Sequence, residues 1–133
     1  MQRSKLRIDT MTANAVRELL KSEAESRIYL YILRENGAKS DDIIRGTKLH
    51  PSTVRELLSK MYTQRLIYRE KLKNDNIGKN PYLYRAAPPR ILLRRYVVEI
   101  EQKLNKIANL TTSDRRNNNR FVHITFHEGG EDV

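Results

Sequence analysis

Ser52, Thr53, Arg55, Glu56, Ser59 and Lys60 are polar residues interleaved with Val54, Leu57, Leu58 and Met61. At helical spacing the four apolar residues make one buried stripe and the six polar residues make the opposite face. Ser52, Thr53, Arg55, Glu56 and Ser59 carry donors and acceptors that could reach base edges or phosphates. Arg55 could bond a guanine edge through two parallel N–H groups, a contact of ~1–3 kcal/mol in base discrimination. Ser52 and Thr53 follow Pro51, a residue favoured at the first helical position, so they stand where the free N–H groups of a helix start attract a phosphate. Lys60, Arg65, Arg69, Lys71, Lys73 and Lys79 come next. These are candidates for phosphate contacts, which supply affinity and salt dependence but no sequence choice. The alternative for each cation, taken singly, is a solvated side chain with no partner.

The charge of the chain favours the first reading. Its 133 residues hold 26 Lys and Arg against 16 Asp and Glu, a formal net charge of +10. The last thirteen residues contain Glu128, Glu131 and Asp132 and no Lys or Arg. The excess of positive charge therefore lies in the first 120 residues, as expected of a domain that attracts a polyanion. There is no cysteine, which excludes disulfides, thiolate metal sites and cysteine nucleophiles. No apolar run approaches the ~20 residues of a membrane span, and no long apolar segment follows the basic N-terminus. A cytoplasmic protein is expected.

A helix can carry such a face only if other elements hold it off the core. The spacing predicts a basic arm over residues 1–11, then a short helix after a cap at Thr12 through Val16, Leu19 and Leu20. A central helix over 23–36 follows, with Ile28, Leu30, Tyr31, Ile32 and Leu33, ended by Asn36-Gly37. Ser40 opens the next helix with Asp41 and Asp42 in its first turn, which suits the helix dipole. Gly46 is expected to close it, and Pro51 to Gln64 then forms the recognition helix. Residues 66–73 and 82–86 alternate loosely as two strands around the turn-forming stretch 74–81. The order helix, short helix, turn, helix, hairpin gives a mainly α fold with a small β-hairpin wing, a winged helix-turn-helix over 12–87. Its recognition helix would enter the major groove of double-stranded DNA and its basic wing would lie on the backbone.

Ser52-Thr53-Val54-Arg55 with Leu57-Leu58, then Leu66-Ile67, Pro81-Tyr82-Leu83-Tyr84 and Ala87-Pro88-Pro89, resembles the archaeal TrmB-type winged-helix regulators. The resemblance runs from about Ala24 to Leu110 and is most specific at the junction from wing to proline pair. It implies a transcriptional regulator, not an enzyme. Larger members of that family carry a C-terminal sugar-sensing domain, for which this chain is too short, so sugar control is not carried over. Leu49-His50-Pro51 replaces the usual glycine-apolar pair of the turn, which implies a changed turn geometry with function retained.

Beyond the wing, residues 88–110 form one long helix in which Leu93, Val97, Ile100, Leu104 and Ile107 recur four, three, four and three apart. That is a heptad seam, and a second copy of the chain is its expected partner. The competing expectation is a helix folded onto its own domain. Residues 111–133 read as a polar loop and tail in which Phe121, Ile124 and Phe126 suggest a last short strand. Arg3, Lys5 and Arg7 could enter a minor groove. No Gly-rich phosphate loop is present, and His123 and His127 lack a third ligand for a metal. No cofactor and no small-molecule ligand are expected. A protein-interaction scaffold built on the same fold, and an RNA-binding module, are the competing functions.

Overall fold

The computed structural model describes residues 5–72, 81–111 and 120–127. The elements run α1 (Thr10–Leu20), α2 (Glu23–Glu35), α3 (Ser40–Thr47), α4 (Pro51–Thr63), β1 (Ile67–Lys71), β2 (Tyr82–Ala86) and α5 (Pro89–Ala108). They fall into two compact units, residues 1–88 and 89–133. This is the mainly helical winged-helix architecture that the residue pattern predicts. Among the described residues no helix is long and apolar enough to cross a membrane.

α2 is the centre of the first unit. Ser22 caps it by accepting the Glu25 N–H, which satisfies one of the donors left over at a helix start. Ile28, Tyr29 and Ile32 are wholly buried, and Ile43, Val54, Met61 and Ile67 close around them from α3, α4 and β1. The Tyr29 hydroxyl donates to the Ala87 carbonyl, which ties the end of the hairpin to this core. Burial pushes the Tyr29 phenol up to about 12. Asn36 ends α2 in the left-handed region, and Gly37 follows at φ +108°, a conformation that side chains with a Cβ rarely adopt. That turn sends Ala38 alongside β2, where Ala38 and Tyr84 exchange both backbone hydrogen bonds at 3.0 and 2.8 Å. The wing is thereby fastened to the helical core at a point that periodicity does not reveal.

Three local expectations are corrected. α1 starts at Thr10 under an Asp9 cap, not after a cap at Thr12; the Thr12 N–H is the group that Asp9 accepts. Gly46 does not close α3. The helix continues through it to Thr47 and ends with Lys48 in the left-handed region. Gly46 is there for space, because a Cβ at this position would collide with the Tyr31 ring. In the second unit, residues 120–127 form neither a strand nor a helix. A strand requires another backbone edge, and here side chains of α5 take that role. The Asn105 amide donates to the Val122 carbonyl and its oxygen accepts the Val122 N–H, while Glu101 accepts the Ile124 N–H.

Candidate nucleic-acid interface

α3 and α4 are joined by a turn pinned from inside. The buried Thr47 hydroxyl donates to the Ile43 carbonyl, and Arg27 of α2 donates to the Thr47 carbonyl. Lys48 then turns the chain at φ 60°. His50 caps α4. Its Nδ1 accepts the Ser52 N–H at 3.2 Å and lies 2.7 Å from the Ser52 hydroxyl. This geometry requires the Nδ1 lone pair, so the ring proton of a neutral His50 sits on Nε2. Pro51 occupies the first turn, where no N–H partner is lost.

Val54, Leu58 and Met61 are buried and Leu57 half-buried, which fixes how α4 is rotated. Ser52, Arg55, Glu56 and Ser59 are consequently exposed on its outer face, whereas Thr53 is half-buried. Lys60 lies at the edge of that face. Its ammonium pairs at 3.1 Å with Glu25, a carboxylate only 7% exposed at the start of α2. A buried carboxylate needs such a partner, so Lys60 also has a structural role. α4 ends with Gln64 as C-cap, and Arg65 follows in the left-handed region at φ 60°.

β1 and β2 pair antiparallel with Ile67 opposite Ala86, Arg69 opposite Tyr84 and Lys71 opposite Tyr82. Alternation puts Ile67, Arg69 and Lys71 on one face. Ile67 at the base is buried, while Arg69 and Lys71 are exposed. The Arg69 guanidinium lies over two phenol rings, 4.0 Å from the centroid of Tyr62 and 4.5 Å from that of Tyr82. On the other face Arg85 bonds Glu70 and the Asn36 carbonyl. Lys73 and Lys79 lie outside the described residues, as does Arg3. Lys5 pairs with Glu35 at 3.3 Å, and the Leu6 N–H bonds the Arg34 carbonyl.

The structure thus brings Ser52, Arg55, Glu56 and Ser59 together on one helix face and places Arg69 and Lys71 on the adjoining hairpin. Tyr62 and Tyr82 belong with them. Tyr62 escapes a search for charged residues. Tyr82 reads as hairpin packing, and only the α4–hairpin geometry shows a cation over its ring. In the second unit, Leu93, Leu104 and Ile107 of the α5 seam are exposed, and Val97 and Ile100 are half-buried. Among the described residues no three His, Asp or Glu side chains gather as metal ligands.

Several solved structures resemble this one. A possible transcriptional regulator from Methanosarcina mazei Go1 is 19% identical, with a TM-score of 0.61 over 83% of this chain and 100% of that one. RV1404 from Mycobacterium tuberculosis is 12% identical, with a TM-score of 0.48 over 78% of this chain and 71% of that one. A mutant of MepR from S. aureus, bound to an oligodeoxyribonucleotide, is 22% identical with a TM-score of 0.45 over 80% of this chain and 78% of that one. No curated protein matches the sequence. A family model described as "Sugar-specific transcriptional regulator TrmB" matches residues 22–90, the stretch from the cap of α2 to the start of α5 and more than half of the chain. This chain belongs to the TrmB family of transcriptional regulators.

Proposed function

We propose that this chain is a sequence-specific regulator of transcription that binds double-stranded DNA with α4 in the major groove and the β1–β2 hairpin along the backbone. One observation carries the reading: α4 is locked by its inner residues Val54, Leu58 and Met61 while Ser52, Arg55, Glu56 and Ser59 stand exposed together. A helix held this way can present its side chains to a groove about 12 Å wide without losing packing. Arg55 reads a base edge. Ser52, Thr53, Glu56 and Ser59 contribute the neighbouring contacts. Lys60, Arg65, Arg69, Lys71, Lys73 and Lys79 hold the phosphates. The net charge of +10 supports the backbone part of this division.

The exposed Leu93, Leu104 and Ile107 and the half-buried Val97 and Ile100 support a homodimer through α5. Two copies would present two α4 helices to a site with two-fold symmetry. A cytoplasmic location is part of this proposal. A gel shift on mixed-sequence duplex DNA across a salt series tests the reading. Binding that weakens steeply with salt is expected; no shift at low salt would leave the protein-interaction scaffold as the better account.

A further inference from the structure

We infer that Arg69 is a pre-positioned phosphate clamp at the junction of α4 and the wing, oriented by Tyr62 and Tyr82. This rests on the DNA-binding reading above and goes beyond it by separating one cation from the others. Several cations of the first unit are engaged by acids or carbonyls. Lys60 is held by Glu25, Arg85 by Glu70 and the Asn36 carbonyl, Arg45 by Asp42, and Arg27 by the Thr47 carbonyl. Arg69 is held differently. Its guanidinium carbon lies 4.0 Å from the Tyr62 ring centroid and 4.5 Å from that of Tyr82. A guanidinium attracts an aromatic face through its charge and donates hydrogen bonds in its own plane. The rings therefore fix where the group lies without using its N–H donors. Among the described residues no carboxylate is paired with it.

The location fits a phosphate of the strand that borders the groove. Tyr62 lies seven residues after Arg55, two helical turns along the same face of α4, so about 10 Å separates them. The arrangement continues the outer face of α4 directly onto the hairpin, where Arg69 is exposed and Tyr84 stands opposite it. An Arg with its faces stacked loses little freedom when its edge donates to two phosphate oxygens, and that pairing is bidentate and directional. A Lys at the same position has the charge but neither the fork nor the stack.

Fluorescence anisotropy with a labelled duplex, read across a salt series, tests this with Arg69→Lys, Tyr62→Leu, Tyr82→Leu and Tyr62→Phe, and with Lys71→Ala for comparison. Circular dichroism melting of each variant verifies the fold. Arg69→Lys should weaken binding about tenfold at one salt concentration while leaving the salt slope unchanged, because the charge is kept. Tyr62→Leu and Tyr82→Leu should weaken it in the same way, and Tyr62→Phe should match the wild type. Lys71→Ala should lower the slope. Wild-type affinity in Arg69→Lys overturns the clamp while leaving the DNA reading standing. Absence of duplex binding by the wild type overturns both.

Discussion

At the scale of single residues, the fold is set by a few side chains whose partners are distant in sequence. Gly46 is the sharpest case. Within a helix, Gly→Ala ordinarily stabilises by about 1 kcal/mol, because glycine loses more freedom on folding. Here the added Cβ would meet the Tyr31 ring, so the sign should invert. Gly46→Ala is expected to lower stability by about 1–3 kcal/mol, the usual scale of overpacking, in urea unfolding. A second substitution at the contact, Tyr31→Ala, should remove the penalty; an unchanged penalty there would place its cause elsewhere. Read from sequence, Gly46 looks like a helix stop, because glycine usually is one. The ring that excludes a Cβ lies fifteen residues upstream. The same holds for Arg69: its charge is legible, but the two rings that orient it come from α4 and β2.

At the scale of elements, periodicity locates an element when its burial follows from its own residues. α2, α4 and β2 lie where their apolar spacing and caps put them, and Pro51 and Asn36 mark their ends. It misses the contacts through which one element is completed by another. Ala38 pairs with Tyr84 across forty-six residues, and nothing in the Asn36-Gly37-Ala38 sequence announces a bridge. Residues 120–127 have a strand's alternation, but they are received by Asn105 and Glu101 of α5. This docking has a pH signature. The Ile124 N–H donated to Glu101, then nearby His123 and Arg120, hold the Glu101 carboxyl below its ordinary value of 4.5. A carboxylate with a depressed value stabilises its state above 4.5 and loses that contribution as pH falls through the lower, docked-state value. The Ile124 amide resonance should therefore shift in that acid range, and Glu101→Gln, which keeps an acceptor but cannot ionise, should abolish the shift. An identical titration in Glu101→Gln would assign the docking to other groups.

At the scale of the whole molecule, the basic charge, the exposed outer face of α4 and the seam of α5 act together if two chains meet on one site. Leu93, Val97, Ile100, Leu104 and Ile107 are the residues proposed for that contact, and Ile107, 63% exposed in a single chain, is the most accessible of them. Analytical ultracentrifugation at micromolar concentration should give a dimer, and Ile107→Asp should shift it toward monomer, since an unpaired carboxylate in an apolar seam is strongly disfavoured. A wild-type monomer at that concentration would remove α5 as the joining element. The outer face of α4 is proposed to read base edges in duplex DNA. Selection of bound duplexes from a pool of random sequence, run in parallel with the wild type and Arg55→Ala, measures that directly. The wild type should enrich one sequence, in two half-sites about one helical turn apart, and Arg55→Ala should lose preference at the position that Arg55 reads while still binding the backbone. Failure of the wild type to enrich any sequence, or enrichment of the same sequence with the same stringency by Arg55→Ala, would contradict it.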